Sequence, residues 1–369
     1  MVWFSPLFLI SIKNYPLGKY PKDIPQLGKI NNEDHFDLPS ERNDTIMSDV
    51  EKREIKMLTE QFGVNEDDVE TGSSFQKVSN AAITQKTKLN LLRKSDFVDS
   101  VQFDTDGITP LFSWVDISLT ELCNRLCTFC PRIDPNFYPN QNLNFGLELA
   151  SKISNELKDL NYQGGVVFCG YGEPLLHPQL DEVIKIFEGI RTEIVTNGDK
   201  LTVDRVERLF NSGLSFLCIS MYDGKHQVAK FDKLMADAAV PTDRYILRDR
   251  WHSEEDSFGL KLTNRSGVLD FGPDPKGFRD MPCYYPSYSM AIDWNGDVLQ
   301  CVQDWNKKVK YGNVNSSNLR DIWKSISYHK SRTALQNGKR NKSPCSECNA
   351  DGCFHGFNHV NEWTRVSDV

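Results

Sequence analysis

Trp114-Val115-Asp116-Ile117-Ser118-Leu119-Thr120-Glu121-Leu122-Cys123-Asn124-Arg125-Leu126-Cys127-Thr128-Phe129-Cys130 is an apolar β run that ends in three closely spaced cysteines. Trp114 to Ser118 has the branched and aromatic residues of a strand. The C-x3-C-x2-C spacing then places three thiols on the single loop leaving it. Three thiolates can hold three irons of a 4Fe-4S cube and leave the fourth iron without a protein ligand, open to a substrate or cofactor. The same spacing also suits a zinc site completed by a distant His or Cys.

Downstream of this loop, short β runs alternate with amphipathic helices. Strands are expected at Val166 to Cys169, Glu193 to Thr196, Phe216 to Ser220 and Arg244 to Leu247. Helices are expected at Leu147 to Leu160, Gln179 to Phe187, Val203 to Phe210 and Gln227 to Ala238. Strand, helix, strand repetition implies parallel strands with helical crossovers, and such sheets gather chemistry at the carboxyl ends of their strands. Those ends carry notable residues. Gly170-Tyr171-Gly172-Glu173-Pro174 follows the second strand and offers backbone amides and a carboxylate to an ammonium group or another polar ligand. Thr196-Asn197-Gly198 ends the third strand and Ser220 the fourth. Each alone could be an ordinary turn; their succession from strand to strand is what carries weight.

With these motifs the chain resembles the radical S-adenosylmethionine (SAM) superfamily over about residues 112 to 250. The resemblance implies a partial (β/α)6 barrel with Cys123, Cys127 and Cys130 as cluster ligands. Phe129 would lie by the adenine, and Gly170, Gly172 and Glu173 by the amino group of SAM. Thr196, Asn197 and Ser220 would reach its ribose or carboxylate. The implied chemistry is reductive cleavage of SAM to a 5'-deoxyadenosyl radical that takes a hydrogen atom from substrate, with the cofactor doing the hard chemistry and the protein supplying placement.

A second thiol group lies nearer the carboxyl end. Cys283 is followed by twelve residues, Gly296, four residues and Cys301, and then by Cys345-Ser-Glu-Cys348 and Cys353. Trp294-Asn295-Gly296 is an Asn-Gly hairpin signal that brings Cys283 and Cys301 together, and the C-x2-C pair can close a four-thiolate cage. A zinc ribbon, or a smaller site from Cys345, Cys348, Cys353 and His355, uses the same residues differently. Helices are expected at Leu319 to Ile326 and Tyr328 to Gln336. This part resembles the small α+β SPASM/twitch domain of radical SAM enzymes over about residues 265 to 354. Five cysteines are too few for two auxiliary clusters, so the one-cluster twitch form fits, with spacing most like aminocyclitol dehydrogenases of the butirosin type. Val302 stands where sulfatase-maturing relatives carry an Asp base, which argues against that reaction. The resemblance also implies that Arg265, just ahead of these cysteines, contacts substrate; Tyr171, Tyr222, Arg248, Trp251 and Asp304 are weaker candidates. Cys169 and Cys218, inside β runs, read as core thiols.

Three divisions follow: an extension over 1–105, a radical SAM core over 106–262 and a SPASM/twitch domain over 263–360, with a tail over 361–369. The extension is expected to be mostly helical or flexible. Ser48 and Glu51 form a capping box ahead of a helix that Gly63 can end, and a second helix is expected from about Ser79 to Arg93. A formal charge of -8 gives no global reason to expect nucleic acid as a partner. The Val2 to Ile12 apolar run is too short to span a bilayer and has no basic leader, so a reducing cytoplasm and no membrane are expected. Ten cysteines in 369 residues, eight of them grouped, point to metal ahead of disulfides. The expected cofactors are therefore SAM and two 4Fe-4S clusters, with a flavodoxin- or ferredoxin-type electron donor. The expected reaction is a two-electron oxidation of a sugar-like or cyclitol-like molecule. Peptide modification, with the extension binding a leader, is the alternative enzyme; a non-catalytic iron–sulfur or zinc module is the alternative of another class.

Overall fold

The computed structural model of the protein describes residues 93–250 and 263–367. The two helices expected at 48–63 and 79–93 fall outside the described residues except for Arg93, and Trp251 falls outside them too.

Five β runs of the central region form strands within about two residues of the expected bounds: β1 (Trp114–Ile117), β2 (Gly165–Phe168), β3 (Arg191–Thr196), β4 (Phe216–Met221) and β5 (Tyr245–Asp249). They pair in parallel, each beside the next, through the helices α1 (Leu147–Asp159), α2 (Leu180–Ile186), α3 (Val203–Asn211) and α4 (His226–Asp237). Strand side chains alternate between faces. Val115, Ile117, Val166, Phe168, Ile194 and Leu217 enter one continuous core with Leu149, Ile153 and Leu157 of α1 and the apolar residues of the other crossover helices. Each such fully buried side chain contributes about 1.5–3 kcal/mol. Local signals agree with this packing: the Thr202 hydroxyl accepts from the Arg205 amide to cap α3.

The opposite face of the sheet is covered differently. Residues 93–98 are helical, and Val98 is buried against Trp114, Val167 and Tyr288, with Phe97 beside them. Arg93 pairs with Glu193 of β3. This short segment brings charge as well as apolar surface to that face of the strands.

The carboxyl-terminal region continues the same sheet. After α5 (Tyr285–Tyr288), strand β6 (Ser289–Ile292) pairs in parallel with β1 on the side away from β2, and β7 (Asp297–Leu299) and β8 (Lys310–Asn313) add on in antiparallel fashion. The order is β5-β4-β3-β2-β1-β6-β7-β8. Six strands are thus parallel, but the sixth arrives from the auxiliary region beside β1 and not beyond β5. The expected hairpin forms at Asn295-Gly296, where the Asp293 amide donates to the Asp297 carbonyl at 2.9 Å. Helices α6 (Leu319–Lys324), α7 (Ile326–Gln336) and α8 (Phe357–Ser367) close this end. The Trp323 indole donates to the Pro110 carbonyl at 2.9 Å, and the buried Arg332 guanidinium lies 4.0 Å from the Trp323 ring centre. Among the described residues no helix is long and apolar enough to cross a membrane.

Candidate active site

Cys123, Cys127 and Cys130 sit half-buried on the loop between β1 and α1. The Asn140 side chain brackets Cys123, accepting from its amide at 2.8 Å and donating to its carbonyl at 3.1 Å. The Cys130 amide donates to the Cys127 carbonyl at 3.0 Å, which curls the second half of the loop. Arg125, between the first two cysteines, donates to Asp199 and to Asp223, at 2.6 Å in each case. Asn124 accepts from Asn197 at 2.9 Å, and the Phe129 ring lies 5.5 Å from that of Tyr222. The cysteine loop is therefore latched to the loops that leave β3 and β4. Burial, and then the neighbouring Cys130 and Cys123, push the Cys127 thiol up to about 12; burial raises Cys123 and Cys130 as well. Three protonated thiols whose charges would repel form a donor set that binds by exchanging protons for a cation-rich group.

The second motif is pressed against this loop. An added Cβ on Gly172 would stand 2.1 Å from the Thr120 carbonyl oxygen and 2.6 Å from that of Leu122, while one on Gly170, at φ +113°, would meet the Ser118 Cβ at 2.9 Å. Only glycine allows that approach. Gly172→Ala is expected to cost about 1–3 kcal/mol of stability through overpacking and to lower iron retention by the cysteine loop. Urea unfolding and iron analysis would check both, and wild-type iron content would contradict the close-approach argument.

Glu173 is buried, and its carboxylate faces inward. It accepts from Thr196 Oγ1 at 2.6 Å, the Asn197 amide at 2.9 Å and the Leu175 amide at 3.0 Å. Thr196, Asn197 and Glu173, singled out separately in the sequence, are one hydrogen-bonded unit joining the ends of β2 and β3. Burial outweighs these donors and pushes Glu173 up to about 7 from 4.5. A carboxyl whose folded value is raised adds stability below its unfolded value and loses it as pH climbs through the folded one. Stability is therefore expected to fall by about 2–3 kcal/mol from this group between pH 4.5 and 7. Unfolding curves at pH 5 and 8 would show the slope, and Glu173→Gln should remove it; an unchanged slope would assign it elsewhere.

The four cysteines expected to form the auxiliary set line one cavity, with Arg340, Gln300 and Ser266 also in its wall. Burial and the neighbouring thiols raise Cys301 well above its usual value, Cys283 to about 11 and Cys345 to about 12. Cys348 is buried beside them. The thiols ring this space instead of meeting at one point: among the described residues no three His, Cys, Asp or Glu side chains converge on a single-ion position. Four thiols set around one space, and not at one point, suit a multi-atom cluster better than a lone ion. Arg340 holds the wall together, donating to the carbonyls of Met281 and Pro282 and, at 2.7 Å, of Ala350. Cys353 is not in that lining; its thiol donates to the Pro282 carbonyl at 3.2 Å.

Between the two thiol groups lies a built seam. Tyr138, Tyr171 and Trp305 pack ring to ring, with Cys130, Val268 and Val302 packed against them. Glu121 binds Arg132 at 2.9 Å and Lys307 at 2.5 Å, and Lys307 also binds Asp293 at 2.5 Å. These ion pairs join the first cysteine loop to the loop after β7, and nothing in their spacing in sequence announces them. Arg265 reaches the seam: its positive charge lowers the Cys130 thiol against burial, and its Nη1 donates to Gln303 at 3.4 Å. The Asn264-Arg265-Ser266-Gly267 segment is a turn, with Arg265, Ser266 and Gly267 all at positive φ. Beside the seam, Asp116, Ser118, Cys169, Gly170 and Val302 line a second, small cavity at the carboxyl ends of β1, β2 and β6. Cys169 thus faces a cavity and donates to Asp116 at 3.4 Å, unlike Cys218, which is a core thiol. Ser220 accepts from Arg248 at 2.7 Å. Asp304 is fully buried and caps the amides of Lys308 and Val309, so it serves the loop.

The fold and this pair of thiol sites define an iron–sulfur enzyme of the SAM-cleaving kind: the chain belongs to the radical SAM superfamily. The model of that superfamily matches residues 117–245, and that of the SPASM iron-sulfur cluster-binding domain matches residues 283–349. The S-adenosyl-L-methionine-dependent 2-deoxy-scyllo-inosamine dehydrogenase of Niallia circulans is 31% identical over 260 residues, which span 65% of this chain and 93% of that protein. The crystal structure of BtrN in complex with AdoMet and 2-DOIA superposes with a TM-score of 0.56 at 29% identity, over 68% of this chain and 98% of that one. A GTP 3',8-cyclase of Chlorobaculum tepidum is 30% identical over 153 residues, 37% of this chain and 45% of its own length. The chain is a radical SAM oxidoreductase whose cofactors are SAM and iron–sulfur centres.

Proposed function

We propose that this chain is a dehydrogenase that removes two electrons and two protons from a carbinol of a cyclitol-like or sugar-like molecule, giving the ketone. The reading assigns Cys123, Cys127 and Cys130 to the SAM-binding cluster and Cys283, Cys301, Cys345 and Cys348 to a single, fully ligated auxiliary cluster. The observation that carries it is the set of four thiols lining one cavity, because a fully ligated cluster leaves no iron for substrate and suits electron acceptance. When bound, the two clusters and SAM supply the radical that takes the carbinol hydrogen and the acceptor for the electron left behind.

The chain's own residues then place and shelter substrate. Phe129, with the Tyr222 ring 5.5 Å from it, would lie by the adenine of SAM, and the Gly170 to Glu173 turn would hold its methionine end. Glu173 orders that turn and the Asn197 backbone by its three hydrogen bonds, acting as a positioning residue. Arg265, with an unpartnered Nε among the described residues, is available to orient a substrate hydroxyl at the seam. The aromatic packing of Tyr138, Tyr171 and Trp305 excludes water from that side. Residues 106–262 form the core and 263–360 the auxiliary domain, a division of chemistry laid over one sheet. A flavodoxin or ferredoxin in the cytoplasm serves as electron donor. Incubation with cyclitols and sugars deuterated at single carbons tests the reading: label appearing in 5'-deoxyadenosine, together with one equivalent of ketone, supports it. Label transfer with a redox-neutral product would overturn the dehydrogenase assignment.

A further inference from the structure

Gln300 follows β7 and precedes Cys301, and it forms part of the wall of the four-thiol cavity. Its backbone amide donates to the Val309 carbonyl at 3.1 Å, which ties it to the approach of β8. The side chain is 3% exposed, and the two ends of its amide have different surroundings. Oε1 accepts from two hydroxyls, that of Ser331 on α7 at 3.0 Å and that of Tyr311 on β8. Neither of those residues lines the cavity. Tyr311 is itself held, its ring stacked on that of Tyr328 with centroids 4.0 Å apart and planes 4° apart. Nε2, by contrast, is buried and has no partner among the described residues. No other side chain in the cavity wall carries such a buried, unpaired nitrogen among the described residues. Arg340, the cation in that wall, engages each of its nitrogens with a backbone carbonyl.

A side-chain amide is planar, with its oxygen and its NH2 on opposite sides. Two hydroxyls that hold the oxygen from outside the wall therefore turn the NH2 toward the cavity. A buried N–H without an acceptor is destabilising and rare, and the acceptors this cavity can offer are sulfurs. The reversed amide would aim oxygen lone pairs at electron-rich thiolates. We infer that Gln300 Nε2 donates a hydrogen bond to a sulfur of the auxiliary cluster and thereby raises its reduction potential. Such a bond strengthens as the sulfurs gain negative charge, so it favours the reduced form. The inference rests on the dehydrogenase reading and deepens it. In that reaction the carbinol gives a hydrogen atom to the 5'-deoxyadenosyl radical, a proton to solvent and one electron to the auxiliary cluster. A raised potential favours that last transfer and opposes the electron's return. Tyr311 and Ser331 act through Gln300 as positioning residues.

A redox titration of the reconstituted full-length protein, followed by EPR, tests this; the auxiliary signal is the one that added SAM does not shift. Gln300→Met keeps the length of the side chain and removes the donor. With iron still at about eight per chain, this variant is expected to have a lower midpoint. At a fixed potential its reduced-to-oxidised ratio should fall about tenfold, equal to about 59 mV for one electron. With glutamine labelled by 15N in its side chain, pulsed EPR should show a nitrogen coupling to the wild-type auxiliary cluster that Gln300→Met lacks. Tyr311→Phe combined with Ser331→Ala leaves Gln300 and the ring stack in place and frees the carbonyl end. A smaller fall of the midpoint is expected there, and this protein decides the matter if Gln300→Met loses its auxiliary iron. An unchanged or raised midpoint in the deciding variant, an absent nitrogen coupling in the wild type, or loss of auxiliary iron from both variants would overturn the inference. These measurements need no substrate, so their outcome is separate from the label transfer and ketone yield that test the dehydrogenase reading.

Discussion

With Cys127 replaced by alanine, the reconstituted protein is expected to hold about four irons per chain in place of about eight. It should also release no measurable 5'-deoxyadenosine from SAM under dithionite. Two thiols cannot hold a cube in a loop that offers no fourth protein ligand, so the loss at this site is expected to be complete. The surrounding fold should survive. Asn140 clamps Cys123 through the backbone, and Arg125 latches the loop through Asp199 and Asp223, without using the Cys127 thiol. A folded variant that still cleaves SAM, or a wild-type protein that takes up zinc alone, would remove the assignment of these three cysteines.

The order of strands and helices from β1 to β5 was legible because each element carries its own period. Short runs of branched and aromatic residues, buried on both faces, mark strands such as β2 and β4, and a 3.6-residue period marks α1 and α3. The thiols were legible by spacing, since ligand sets on one loop or one hairpin are local in sequence. What sequence reading missed depends on contacts between distant segments. The placement of β6 beside β1 is set by pairing of Ser289 to Ile292 with Trp114 to Ile117, and no periodicity specifies which edge a strand chooses. Glu121 meeting Lys307, and Lys94 entering the cage of Trp114, Tyr285 and Tyr288, are equally non-local. Glu173 shows the subtler case. Its motif was visible, but only the structure turns its carboxylate toward Thr196 and Asn197, making it the support of a binding loop.

The shared sheet has a mechanical consequence. Because β6 pairs directly with β1, the loop bearing Cys123 and the hairpin leading to Cys301 leave adjacent strands. The separation between the two thiol groups is then set by backbone hydrogen bonds, the ion pairs of Lys307 and the aromatic packing of Tyr171 with Trp305. A substrate seated between them, as the proposed dehydrogenase reaction requires, would be held against rigid elements on both sides. That favours placing a reacting carbon within reach of a radical while keeping an electron acceptor at a constant distance.

Cys301→Ala provides the sharpest separation of the two halves. Cys301 lies just after β7, lines the same cavity as Cys283, Cys345 and Cys348 and is coupled electrostatically to all three. Its removal should drop iron to about four per chain and leave a single cluster signal in the Mössbauer spectrum, while SAM cleavage under dithionite continues. Ketone formation should fall at least tenfold. The carbon radical made by hydrogen abstraction can still lose its proton, but its electron then has no acceptor close by, and return of hydrogen from 5'-deoxyadenosine competes. With substrate deuterated at the attacked carbon, the variant should therefore accumulate deuterium in SAM-derived nucleoside without a matching amount of ketone. Ketone in wild-type yield from a protein shown to lack the second cluster would mean that the four thiols serve the fold alone. The electron would then leave by a route through the first site.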